Sequence, residues 1–271
     1  MGRTERYLER VALSYSADVL RAGAGKTGRF AVAAAAAGIV LAVAVPSRAS
    51  ESVQPINSAL CAGMKAAHVL NAGAPVGCER LSLVTFSFVD FDGVQHDDGQ
   101  LVVMDAVATR VLRIFRSLHE RGFPIAKAKL MDAYEGDDEK SMADDNTSGL
   151  NDRHVPGSEH KSLHAYGVAI DLNPVQNPFV TRSGAVFTFH PVSGADYFNR
   201  LISRPGKPQR LGAAEEVVSI FAENGFTVWG GNWDDPIDFQ HFDVGRPLAE
   251  ALAALPPDQA KRKFENSIRK R

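Results

Sequence analysis

Residues 30–46, FAVAAAAAGIVLAVAVP, form a 17-residue run with no charged side chain. Such a run cannot lie on a water-exposed surface. It must be buried in lipid or in protein, and it divides the chain into a short head and a long body. It sits at the lower limit for spanning a hydrocarbon core of about 30 Å and is slightly long for the apolar part of a signal peptide. Arg21, Lys26 and Arg29 precede it, and Ser47-Arg48-Ala49 follows with small residues where a signal peptidase reads. Three readings are open: a signal peptide cleaved near Ala49, an uncleaved membrane anchor, or an Ala-rich core helix. Under the first two, residues 1–49 are a cytoplasmic n-region plus leader or anchor. The rest is then exported to the cell envelope, periplasmic or extracellular, in the orientation set by the basic flank. If uncleaved, residues 30–46 are the membrane contact.

Charge follows the same division. Residues 1–49 carry seven Lys/Arg and three Asp/Glu, residues 50–255 carry 17 and 27, and residues 256–271 carry six and two. With an acidic body and a formal net charge of −2, the chain has no overall electrostatic basis for binding nucleic acid. Two cysteines exclude a disulfide-dense scaffold and a four-thiolate zinc knuckle. In an oxidising compartment Cys61 and Cys78 would pair; the alternative is two unrelated buried thiols.

The body reads as one α+β domain, a small antiparallel sheet with flanking helices after the N-terminal hydrophobic segment. Residues 50–80 are polar and turn-rich, an irregular lead-in holding both cysteines. From Leu81, LSLVTFSFV alternates with Val84, Phe86 and Phe88 on one face, a half-buried strand. Asp92-Gly93 marks a turn and LVVM at 101–104 the returning strand. Val107, Val111, Ile114, Phe115 and Leu118 recur at helical spacing, and Gly122 and Pro124 end that helix. Residues 127–133 suit a strand, 168–172 another, 213–223 a helix, and FTVWGG a strand ending in a turn. The main domain spans 81–250. A basic tail, 251–271, follows and is a short helix or solvated charge.

Chemistry concentrates in two segments. Ser162-Leu163-His164-Ala165-Tyr166-Gly167-Val168-Ala169-Ile170-Asp171 is the first, and Asp238-Phe239-Gln240-His241 the second. His164, Asp171 and His241 supply two imidazoles and a carboxylate, a set that suits Zn²⁺ and leaves a fourth position for water. Asp238, three residues before His241, can sit beside such a metal and move a proton. Gly167 and Ala169 let the backbone approach closely. The helical H-E-x-x-H zinc motif is absent. The alternative reading is two ordinary surface or core histidines and an aspartate capping a strand end.

These residues make the chain resemble the D-alanyl-D-alanine carboxypeptidase / L-alanyl-D-glutamate endopeptidase family of zinc peptidases, whose signature is S-x-H-x-x-G-x-A-x-D followed by E/D-x-x-H. Further similarity runs over residues 80–245, through FDG at 91–93, FPI at 123–125, DD-x-x-SM at 137–142, NTS at 146–148, DLNP-x-x-NP at 171–178 and WGG-x-W at 229–233. The resemblance implies a Hedgehog/D-Ala-D-Ala metallopeptidase-like fold, Zn²⁺ held by His164, Asp171 and His241, and Asp238 as general base. It also implies that Arg153 polarises the scissile carbonyl. The substrate it implies is the peptide stem of peptidoglycan, with Ser162 and Trp233 as candidate substrate contacts. Leu150 and Asp152 depart from the family pattern, which bears on substrate fit, and Asp152 is placed to partly neutralise Arg153. Trp229 and Trp233 pack beneath the site or line its cleft; His154 and His160 suit solvent-exposed loop positions. The rivals are an endopeptidase of the same family and a catalytically silent zinc-containing wall-binding module.

Overall fold

Alternation of apolar and polar side chains builds the first sheet. In a computed structural model that describes residues 51–269, strands β1 (Ser52–Pro55), β2 (Leu81–Val89) and β3 (Gln95–Met104) pair antiparallel in that order. The ladder sets Leu81 opposite Met104 and Val84 opposite Leu101, and a bulge on β3, where Asp97 and Asp98 face the single Ser87, shifts the register before Phe88. One face is covered by α2 (Ala108–Glu120), whose Val111, Ile114, Phe115 and Leu118 are fully buried. Phe115 stacks on Phe86 with ring centroids 4.0 Å apart. Residues 1–50, on which the expected leader or anchor falls, lie outside the described residues. Among the described residues no helix is long and apolar enough to cross a membrane.

The lead-in is more regular than its composition suggests. It holds β1 and helix α1 (Ser58–Ala66), which Asn57 caps by accepting from Leu60 N–H at 2.8 Å. A disulfide joins Cys61 on this helix to Cys78, with Cα atoms 5.9 Å apart. Closing a loop of 17 residues contributes about 3 kcal/mol, chiefly by restricting the unfolded chain. The double variant Cys61→Ser/Cys78→Ser is therefore expected to melt about 6–12 °C lower by calorimetry.

Two further three-stranded sheets, β4-β9-β7 and β6-β5-β8, carry the site. The first contains β4 (Ala169–Asp171), β9 (His241–Asp243) and β7 (Val228–Trp229). The second contains β6 (Val186–His190), β5 (Phe179–Ser183) and β8 (Ile237–Asp238). One small sheet is thus replaced by three. Short helix α3 (Asp138–Ala143) interrupts the long acidic segment.

Two expected elements are corrected. No strand forms over 127–133, because asparagine side chains satisfy that backbone: Asn173 Oδ1 accepts from Ala126 N–H, and Asn146 both accepts from Lys129 N–H and donates to its carbonyl. The helix expected over 213–223 breaks at buried Val217, with φ −126° and ψ 0°, into a 3₁₀ turn (Ala214–Glu216) and α4 (Val218–Glu223). An ion pair from Glu215 to Arg200 draws the first turn aside.

The tail is part of the same packing. Helix α5 (Arg246–Ala253) ends on the Arg80 guanidinium, which donates to the carbonyls of Leu252, Ala253 and Leu255 while gripping Asp105. Helix α6 (Pro257–Arg269) buries Phe264 edge-on to Phe226, and its Glu265 pairs with Arg110. Only its outer face is solvated charge.

Candidate active site

Each ligand-type side chain is held by its own local device. Ser162 caps the 3₁₀ turn Leu163–Tyr166, its Oγ accepting from His164 N–H at 3.3 Å. Gly167 ends the turn at φ +66°, where Met104 N–H donates to its carbonyl at 2.8 Å. A Cβ at Gly167 would stand 2.7 Å from Met104 N, so both the left-handed backbone and the close approach require glycine. His164 Nδ1–H then donates to Gly149 O at 2.7 Å, since a carbonyl can only accept, and Nε2 is left with its lone pair.

Asp171 on β4 lies directly opposite His241 on β9 in the ladder. His241 Nε2–H donates to Asp243 Oδ2 at 3.0 Å, which leaves Nδ1 facing inward. Three bare donors now meet: His164 Nε2 to His241 Nδ1 at 3.1 Å, and each nitrogen to Asp171 at 3.2 Å. A tetrahedral ion with bonds of about 2.0–2.1 Å separates its ligands by about 3.3 Å, so these gaps are close to those of a metal site. Two imidazole lone pairs this close repel unless positive charge lies between them. The surroundings favour such charge. Burial opposes the imidazolium of His241, yet Asp171 and Asp243 overcome it and push the group up to about 10. Burial likewise opposes Asp171, and the two histidines hold it far below the usual carboxylate range. All three residues are buried and could hold a metal ion.

Asp238 sits on β8, and its Oδ1 is buried with no hydrogen-bond partner. Burial, and then the Asp171 carboxylate, push it up to about 6, against the pull of His241. Gly230 makes room for it: a Cβ there would lie 2.5 Å from Asp238 O and 2.9 Å from Asp238 Cβ. Gly230→Ala must therefore displace Asp238. The expected result is an about 10- to 100-fold fall in turnover with metal content unchanged, read by steady-state kinetics beside elemental analysis. The donor set and Asp238 open into one cavity of about 630 Å³.

The comparisons bear on this site. Residues 156–244 match the family model described as D-alanyl-D-alanine carboxypeptidase. No curated protein and no solved structure matches the chain. The carboxypeptidase-family segment contains His164, Asp171, Asp238 and His241, and is shorter than the resemblance over 80–245.

Arg153 lies just before that segment and lines the cavity. Its partner differs from the expected one. Arg153 pairs with Asp138 at the start of α3, and Asn151 Nδ2 holds the other oxygen of Asp138 at 2.6 Å. Asp152 is not its neutraliser: that buried carboxylate accepts from Lys161 Nζ at 2.7 Å and from Asn71 N–H at 3.1 Å. Leu150 belongs to the core. Neither departure from the family pattern lines the cavity. His154 and His160 are exposed on the loop.

The two tryptophans part company. Trp229 packs beneath the site, stacked on Phe242 and donating from its indole to Phe239 O at 2.9 Å. Trp233 stands at the cavity wall, its ring 5.5 Å from that of His241. Ser162 also faces the cavity, with its hydroxyl engaged as the turn cap. Sequence reasoning missed Asp138, Asp243 and Arg246. Asp243 could have been found, because a residue two positions beyond His241 on a strand shares its face. Asp138 lies in the DD-x-x-SM stretch at 137–142, which carried no sign of its pairing with Arg153, and Arg246, which also lines the cavity, is brought in by long-range packing.

Proposed function

We propose that this chain is a zinc-dependent peptidase of the cell wall that hydrolyses the peptide stems of peptidoglycan, acting as a D-alanyl-D-alanine carboxypeptidase. The observation that carries this reading is the buried, unpartnered Asp238 Oδ1 in the same cavity as His164, Asp171 and His241, within a segment of the carboxypeptidase family. Two imidazoles and a carboxylate suit Zn²⁺ over harder or softer ions. Bound there, zinc supplies Lewis acidity toward the scissile carbonyl and makes water easier to deprotonate.

The chain's own residues do the rest. Gly149 O and Asp243 fix the ring orientations of His164 and His241. Asp238 takes the proton of the attacking water as its oxygen bonds to the amide carbon, and returns it to the departing amine as the C–N bond breaks. Arg153 and Arg246, the guanidinium groups lining the cavity, offer N–H donors to the carbonyl oxygen and to a terminal carboxylate. Trp233 forms a wall for the stem. A cation available for the substrate's terminal carboxylate, Arg246, favours a carboxypeptidase over an endopeptidase, which needs an open cleft on both sides. Residues 30–46 would deliver the domain to the outside of the cytoplasmic membrane, where its substrate lies.

The test is incubation of the zinc-loaded chain with purified muropeptides, with products read by mass spectrometry. Release of single D-alanine is the expected result. Separation at the L-Ala–D-Glu bond instead would make it an endopeptidase. No product from folded, zinc-loaded protein on any stem would overturn the peptidase reading in favour of a wall-binding module.

A further inference from the structure

The exposed apolar side chains are unevenly distributed. Six of the nine large ones exposed among the described residues fall within 186–211: Val186, Phe187, Val192, Phe198, Leu201 and Leu211. Three are well out in solvent, Val192 at 82%, Val186 at 66% and Leu201 at 64%. All six lie on β6 or on the strip of chain that follows it. Phe198 packs 5.0 Å from Phe187 and 5.3 Å from Phe189 on β6, and Arg210 ties the far end back by bonding Ile202 O and Asn199 O, each at 2.9 Å. A clustered patch of this kind marks a contact surface, whereas single exposed residues would not.

Charge indicates what it contacts. From Val192 to Leu211 the chain carries four basic side chains and one acidic one, Asp196, inside a body where acidic residues outnumber basic 27 to 17. Arg200 turns inward to Glu215 and Gln176 O, which leaves Arg204, Lys207 and Arg210 beside the apolar strip. These cations crowd one another: burial first, and then Arg204, lower the basicity of Arg210. Aliphatic and aromatic residues interleaved with cations are what an anionic bilayer surface rewards, with hydrocarbon for the first and headgroup charge for the second. A soluble polyanion would reward the cations alone.

We propose that the strip formed by β6 and residues 192–211 docks on an anionic lipid membrane. The acidic remainder of the body is repelled by such a surface, so the strip faces it. Strand β5, hairpin partner of β6, pairs on its other edge with β8, which carries Asp238, and its Phe179 and Thr181 line the cavity. Docking therefore holds the cavity close to the lipid surface. This inference is independent of the chemistry of the site.

Hydrogen exchange on the full chain tests it, comparing vesicles of pure phosphatidylcholine with vesicles holding about 30% phosphatidylglycerol. The basic flank of residues 30–46 also favours anionic vesicles, so the readout is exchange within 186–211 and its loss in strip variants that leave the head unchanged. Exchange over 186–211 is expected to slow at least about tenfold on the anionic vesicles only. The slowing should disappear in about 0.5 M salt, in Arg204→Glu/Lys207→Glu and in Leu201→Ser. Equal exchange on the two lipids overturns the proposal, and this comparison needs no variant. Protection that survives charge reversal overturns it as well. So does equal protection by dextran sulfate without vesicles, which would assign the strip to an anionic polymer.

Discussion

Asp238→Asn is expected to lower turnover on muropeptides by about 10³- to 10⁴-fold while the protein binds its metal as before. The amide matches the carboxylate in shape but cannot accept the proton that the reaction must move. The stability of this variant is the second half of the prediction. Asp238 Oδ1 is buried without a partner, and burial with the neighbouring Asp171 raises the group from 3.8 to about 6. An acid whose folded pKa lies above its unfolded value destabilises the fold once pH passes the unfolded value, because the native state resists losing the proton. At neutral pH the neutral amide removes that cost, on the order of 1–3 kcal/mol, so Asp238→Asn should melt at or above the parent's temperature. Activity within tenfold of the parent would remove Asp238 from the reaction. A group that lowers stability yet stays in place is the signature of a site kept for chemistry.

Metal removal is expected to have an effect of similar size. Chelation should abolish hydrolysis and zinc should restore it. His164→Ala and His241→Ala should each reduce bound metal from one equivalent to a small fraction and activity by at least about 10³-fold, measured by elemental analysis and kinetics. Saturation at a thousand times Kd should stabilise the folded protein by about 4 kcal/mol, which calorimetry would read as a rise of about 8–16 °C. Asp243→Ala should behave differently. Asp243 supports the His241 ring from outside the donor set, so its loss should weaken metal affinity by about 10- to 100-fold and leave the stoichiometry intact at high metal concentration. Hydrolysis that persists in chelator, from protein holding no metal, would sink the metallopeptidase reading.

The parts of the fold legible in the sequence are those written in local periodicity. Alternation over Leu81–Val89 and the helical spacing from Val107 to Leu118 report which face is buried, and β2, β3 and α2 form there. Periodicity fails where the backbone takes its partners from distant side chains. Residues 127–133 look like a strand, but Asn146 occupies both backbone hydrogen-bonding groups of Lys129 and Met131–Tyr134 closes into a 3₁₀ turn. The tail looks like solvated charge because only Ala260, Phe264 and Ile268 on its inner face show that it packs, and three apolar residues in a basic helix are a weak signal.

In the site the division has the same cause. Residue type and spacing alone bring out His164, Asp171, Asp238 and His241, because few side chains can serve as donors and these cluster in two short segments. Only the tertiary structure sets Asp171 opposite His241 across a ladder 70 residues apart in the chain, pairs Arg153 with Asp138, and leaves Asp238 Oδ1 without a partner. Sequence determines which groups can ligate or move a proton, since that is a property of each side chain. Their distances, partners and buried charge arise from segments that meet only when the chain folds, and so were decided there.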